Sequence, residues 1–163
     1  MSKTFSNEIM RRQLKEVENT LHSEISTVKV QKLLSSEFIE WDGCVLLEAV
    51  NDENALDTHF KPNEYYPDRT EYEAFCNHIH ISDYLPESEE CPLQSLVLAL
   101  KILEVWESKL MNSFPGLKFH LILSHDEFGS VLRFHKFRQE EGLWINVDNI
   151  NGYTEQGIML KEI

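Results

Sequence analysis

The sequence predicts an α+β fold, a mainly antiparallel sheet of about five strands packed against an N-terminal helix and a long, buried central helix. Three observations predict it. Between Leu93 and Met111, apolar residues Leu93, Leu96, Val97, Leu100 and Leu103 form one helical stripe, while Leu98, Ile102, Val105, Trp106 and Leu110 fill much of the remaining circumference. A helix apolar on most sides is a buried helix. After Pro115-Gly116 the period changes to two, with Leu117, Phe119, Leu121 and Leu123 alternating against Lys118, His120, Ile122 and Ser124. Thirdly, Asp42-Gly43 stands between two short β-prone runs, and that dipeptide supplies the positive φ angles a two-residue primed turn requires.

Taken in order, Ser6 to Leu21 reads as an amphipathic helix with Ile9, Met10, Leu14, Val17 and Leu21 inward and Ser6 as its N-cap. Thr27 to Leu33 alternates Val28 and Val30 with Lys29 and Gln31, as a short strand would. Phe38–Trp41 and Cys44–Val50 form the hairpin. From Asn51 to Arg69, turn residues replace any sustained period, which predicts a long ordered excursion of the kind that often carries function. Thr70 and Glu73 have capping-box spacing for a helix to about Asn77, and His78 to Leu85 reads as extended. Pro86 to Glu90 is an acidic linker into the central helix, where Pro92 occupies a first helical position. Leu117–Ser124 and Ser130–Phe137 pair across a loop at 125–129, a short element surrounds Trp144, Ile145 and Val147, and Gly157–Ile163 is a last strand.

At 163 residues with 42% hydrophobic content, the chain suits one domain, residues 1–163. No run approaches the length that crosses a bilayer. The N-terminal residues around Arg11-Arg12 lack the apolar segment of a secretory signal, so a cytoplasmic location is expected. Cys44, Cys76 and Cys91, odd in number and without paired spacing, are expected as reduced thiols.

The net charge of -13 is very unevenly placed. Residues 48–90 hold twelve acids against Lys61 and Arg69, which leaves -10 there, while residues 1–47 hold seven acids and six bases. Such a field repels nucleic acid and anionic lipid and attracts basic proteins. Tyr65, Tyr66 and Tyr84 interleave with these acids, and tyrosines among carboxylates suit an interface in which the rings supply area and the acids select a basic partner. The candidate partner-binding residues are therefore Asp52, Glu53, Asp57, Glu64, Tyr65, Tyr66, Asp68, Glu71 and Glu73, with Asp83 and Tyr84 adjacent. A solvated, solubilising face is the plainer reading of the same charges.

Two constellations invite a chemical reading. Cys76, His78 and His80, with His59 and Cys44 or Cys91 as further donors, offer nitrogen and sulfur ligands but no CxxC or HExxH spacing, and no metal is assigned. His120, His125 and His135 beside Arg133 and Arg138 lack a glycine-rich phosphate loop and a nucleophile elbow. No catalytic residue, metal or cofactor is expected, and the chain is read as a non-enzyme.

The run Arg133-Phe134-His135-Lys136-Phe137-Arg138-Gln139-Glu140-Glu141-Gly142-Leu143-Trp144 follows Phe114-Pro115-Gly116-Leu117-Lys118-Phe119. This pattern, taken over residues 78–163, resembles small bacterial immunity proteins encoded with polymorphic or contact-dependent growth inhibition toxins. The resemblance implies a non-enzymatic inhibitor that binds one cognate toxin C-terminal domain, with a nuclease, whose active-site cleft is basic, as the expected target. The rival expectations are a small metal-binding enzyme and a general acidic adaptor. The structural reading of the run pairs Arg133 and Lys136 with Glu140, Glu141 or other acids and buries Phe134 and Trp144. A homodimer through a sheet edge is compatible with the pattern but not required by it.

Overall fold

The computed structural model describes residues 2–20 and 25–163. Strand β1 (Lys3–Ser6) leads into helix α1 (Glu8–Thr20), a 3-10 turn (Val28–Val30) and the short helix α2 (Gln31–Leu34). A hairpin of β2 (Phe38–Trp41) and β3 (Cys44–Leu47) precedes the excursion, which holds only short 3-10 turns before helix α3 (Arg69–Cys76). Strand β4 (Ile79–His80) and two 3-10 turns lead to helix α4 (Pro92–Ser113). Strands β5 (Phe119–Asp126) and β6 (Gly129–Lys136), a 3-10 stretch (Val147–Gly152) and β7 (Gly157–Glu162) follow.

Five of these strands form the antiparallel sheet, in the order β1-β7-β5-β6-β4, and β2-β3 stands apart as a pair. Alternation decides which side chain serves which face. Phe119, Leu121, Leu123, Leu132, Phe134 and Met159 meet α1 and α4 in the main core, where Trp106 and Leu103 are buried. Ile122, Ile158 and Leu160 point the other way, beneath Ile145, Ile150 and Trp144 from the C-terminal 3-10 region. Both faces are therefore covered, and β5 is buried over most of its length. Gly157 admits α1 to the sheet, since a Cβ there would stand 1.9 Å from Gln13 Oε1 and 3.1 Å from the Met10 Cα.

Several local expectations are corrected. Asn7, not Ser6, caps α1. Its Oδ1 accepts from the N–H groups of Met10 and Ile158, both at 2.9 Å, and its Nδ2 donates to the Gln156 carbonyl at 2.9 Å. Ser6 closes β1, paired with Met159. The inward assignment of Leu21 lies outside the described residues. Val28 to Leu33 is helical rather than extended, because Val30 and Leu33, three residues apart, are both buried while Val28 is 77% exposed. Asp68 caps α3 by accepting from the Glu71 N–H at 2.8 Å, two residues ahead of the expected Thr70 box. Only Ile79–His80 of the 78–85 stretch is strand, and β5 and β6 pair up to Asp126 and Gly129, leaving a tighter turn than a five-residue loop. The β2–β3 hairpin turns as expected at Asp42 and Gly43, with φ of 44° and 82°.

Glu73 is the largest correction. It is 0% exposed and paired with Arg138. Its Oε2 accepts from the Val45 N–H at 2.7 Å, and its Oε1 accepts from the Lys136 N–H at 3.2 Å and from Arg138 Nη1. Arg138 Nη2 donates to the Gly43 carbonyl at 2.8 Å, and Glu141 accepts from the Thr70 N–H at 2.9 Å and from its hydroxyl. Arg133 and Lys136 do not pair with Glu140 or Glu141. Arg133 lies over Trp144 at 4.6 Å and Lys136 Nζ reaches the Gly43 carbonyl at 2.8 Å. Among the described residues no helix is long and apolar enough to cross a membrane.

Arg138→Met should lower stability by about 3–5 kcal/mol in urea denaturation, because it strands a buried carboxylate. Adding Glu73→Leu should not restore the parent value, since the Val45 and Lys136 N–H groups then lose their acceptor at about 1–3 kcal/mol each. Full recovery in the double variant would show that the pair does not organise the backbone around it.

Candidate partner interface

The excursion is tied to the hairpin turn, and its Leu56 packs against the small buried cluster of Ile39, Cys44 and Leu46. Asp42 Oδ2 accepts from the Phe60 N–H at 2.7 Å and from Arg69 Nη2 at 3.1 Å, and Arg69 Nε donates to the Asp42 carbonyl at 2.6 Å. The Phe60 bond is the main reason that the Asp42 carboxyl sits below its ordinary pKa. Trp41 Nε1 donates to the Asp57 carbonyl at 2.7 Å. Asn63 Oδ1 takes the N–H groups of Tyr65 and Tyr66 at 2.8 and 2.9 Å, and Asp52 accepts from the Asn54 N–H at 2.9 Å. These side chains replace the ladder that a strand would provide.

Asp52, Glu53, Asp57 and Glu64 are exposed on this excursion, and Tyr65 is 75% exposed. Of its two bases, Arg69 is engaged by Asp42, which leaves Lys61 as the other cation among many acids. Tyr66, Asp68 and Glu71 are half-buried at the start of α3. Glu73 does not belong to the surface. Asp83 is exposed on the turn after β4, while Tyr84 beside it packs partly against the main core. The excursion and the first turns of α3 thus gather most of the expected residues, and Tyr84 contributes mainly to packing.

Sequence reasoning missed the rings that join these acids. Tyr72 meets Trp41, Phe60 and Tyr66 at centroid distances of 5.4, 5.5 and 5.6 Å. Tyr66 also meets Phe75 at 5.2 Å, Phe75 meets His78 at 5.3 Å, and His78 meets His80 at 5.4 Å. The signal was present in the spacing: Asp68, Glu71, Tyr72 and Phe75 lie at i, i+3, i+4 and i+7, one face of a helix.

Of the two other constellations, Cys76, His78 and His80 adjoin this surface and the histidines of β5 and β6 lie apart from it. His78 Nδ1 contacts the Phe75 carbonyl, and burial raises the pKa of the Cys76 thiol. Among the described residues no three His, Cys, Asp or Glu side chains are grouped to hold a metal ion. His120 and His135 form a cross-strand pair with centroids 5.2 Å apart, Phe137 stacks on His120, and Glu162 lies 3.7 Å from His120 Nε2. His125 instead bonds Ser130 Oγ at 2.6 Å, and Arg133 and Arg138 are both held against α3. The cleft beside His120 measures about 160 Å³, below the usual ligand-pocket range of about 300–1,000 Å³.

Residues 5–163 match the family model described as the Uncharacterized protein PM0498 family. The chain belongs to that family. The match takes in the whole excursion, α3 and the Glu73–Arg138 pair. No curated protein and no solved structure matches the chain.

The buried histidines carry a pH dependence. Burial pushes His135 down to about 4 and also lowers His120 and His125. Between pH 4 and an unfolded value of about 6.5, the unfolded state binds more protons than the folded one, so stability rises with pH across that window and is lost as pH falls. His135 alone should contribute on the order of 3 kcal/mol of that loss. Denaturant melts at pH 7, 6, 5 and 4 should show the slope, and His135→Gln should flatten it. A parent protein equally stable at pH 7 and 4 would refute the assignment.

Proposed function

We propose that the protein is a non-enzymatic, cytoplasmic inhibitor that neutralises a basic protein domain by covering its active-site cleft with the acidic excursion. The cognate toxin C-terminal domain of a polymorphic or contact-dependent growth inhibition system is the partner that the sequence resemblance supplies, and the acidic field points to a nuclease as its activity. The observation that carries the reading is the ordered display of Asp52, Glu53, Asp57 and Glu64, all exposed, within residues 48–90, a stretch whose net charge is -10. A nuclease cleft is shaped for phosphates. Carboxylates displayed by a folded loop compete for it without being substrates, and they associate quickly because the fields attract before contact.

Two features support a binding surface over a solvated face. The acids of the excursion are not neutralised locally, and exposed rings interrupt them. The side-chain caps and the Asp42 anchor also fix the loop before any partner arrives, which reduces the ordering cost of association.

Where a toxin-like domain is encoded beside this chain, titration calorimetry with it should give one-to-one binding that weakens with salt. Lysine at Asp52, Glu53, Asp57 and Glu64 together should slow association about tenfold or more at low salt. Undiminished association by that variant would overturn the acidic surface, and absence of binding by the parent at both salt concentrations would overturn the inhibitor reading.

A further inference from the structure

Charge draws a basic partner to the excursion but does not choose among cations. The outward face of α3 adds that choice. Thr70, Glu73 and Ala74 of this helix are buried and Tyr72 is half-buried against the hairpin cluster, while Asp68 and Glu71 lie on the side of Phe75, which is 50% exposed. Ring contacts run without a break from Tyr66 through Phe75 and His78 to His80 on the edge strand β4. A lone exposed phenylalanine is ordinary, but one in the middle of a row of touching rings is a patch.

The carboxylates beside the row limit what can cover it. A second copy of this chain would set acid against acid, and nucleic acid or anionic lipid would meet the same repulsion. An uncharged apolar partner would cover the rings and leave Asp68 and Glu71 desolvated without a counter-charge. Those two acids already press on each other: burial first, and then the Asp68 charge, raise the Glu71 pKa, with Arg133 only partly offsetting them. A flat cation satisfies both surfaces, because a guanidinium stacks on a ring face while its N–H groups reach a carboxylate.

The chain uses that arrangement within itself. The Arg69 guanidinium lies 5.1 Å over the Phe60 ring while bonding Asp42. Arg133 repeats the stacking half of it, 4.6 Å over Trp144, with its N–H donating at 3.1 Å to the Ala74 main-chain carbonyl rather than to a carboxylate. We propose that the Tyr66–Phe75–His78 row, flanked by Asp68 and Glu71, is a seat for arginine side chains of the basic partner, so that this surface selects arginine over lysine. The inference rests on the basic-partner reading above and adds the chemical identity of the cation. Lysine, a compact and strongly hydrated charge, is attracted by the acids but gains less from the rings.

The test uses oligoarginine and oligolysine peptides of equal length and charge, titrated against the full chain at low salt and followed by fluorescence anisotropy. Both should bind, with arginine tighter by about fivefold or more. Phe75→Ser should erase that preference by weakening oligoarginine more than oligolysine, and Phe75→Tyr, which keeps the ring, should retain it. Circular dichroism of each variant establishes that it is folded. Equal affinity of the parent for the two peptides, or a preference that survives Phe75→Ser, would overturn the arginine seat and leave the acidic surface standing. Failure of both peptides to bind would overturn the seat and the basic-partner reading together.

Discussion

The rest of the architecture depends on one buried interaction, the pairing of Glu73 with Arg138. Burying two charges costs several kcal/mol each unless their remaining hydrogen-bonding capacity is met, and here it is met almost entirely by main chain. Glu73 takes the N–H groups of Val45 and Lys136, and Arg138 donates to the carbonyls of Gly43 and Lys136. The pair therefore joins α3, the β2–β3 hairpin and the end of β6. Burial pushes the Glu73 carboxyl upward, while Arg138 and the two N–H groups pull it back. Every neighbour is a donor, so the site is built for a carboxylate. Asn77 extends the junction one turn further, with Oδ1 accepting from the Leu47 N–H at 2.8 Å and Nδ2 donating to the Val45 carbonyl at 2.9 Å.

This junction explains how a two-stranded hairpin, lying outside the main sheet, holds a fixed place. An isolated hairpin is marginal in water. Here apolar packing is shared with α3 through Cys44, Leu46, Tyr72 and Cys76, and polar groups set the register. The excursion leaves the hairpin and returns at the start of α3. Both of its ends are therefore fixed by the same cluster, and Arg69, bonded back to Asp42, closes the loop.

Elements whose burial follows a local period were legible in the sequence. The central helix, the β5–β6 pair, β7 and the Asp42-Gly43 turn all announce themselves within a few residues. The failures share a cause, which is that the deciding partner is distant. β1 is four residues with little apolar content, and it is a strand because β7, more than 150 residues later, pairs with it. Val28 and Val30 alternate as a strand would, yet the inward pair is Val30 and Leu33, chosen by α4 packing above. Asp68-x-x-Glu71 and Thr70-x-x-Glu73 offer equivalent capping spacing, and Thr70 was disqualified by Glu141, whose carboxylate takes its N–H. Glu73 looked like one more surface acid because its counter-charge stands 65 positions away.

The same reasoning separates what the candidate surface owes to composition from what it owes to folding. The acidity of residues 48–90 is written in the sequence, and folding removes Glu73 from it and spends Arg69 on Asp42. Folding also adds what composition does not contain, a row of rings assembled from three segments: Phe60 and Tyr66 from the excursion, Tyr72 and Phe75 from α3, and His78 and His80 from the run into β4. Those segments converge because α3 is clamped from beneath by Glu73 and Asn77, which sets Tyr72 against the hairpin cluster and directs Phe75 outward. A charge buried on one side of an eight-residue helix thus determines which aromatic rings the other side presents. A surface held in that way has its side chains already placed, so association through it would lose little free energy to ordering.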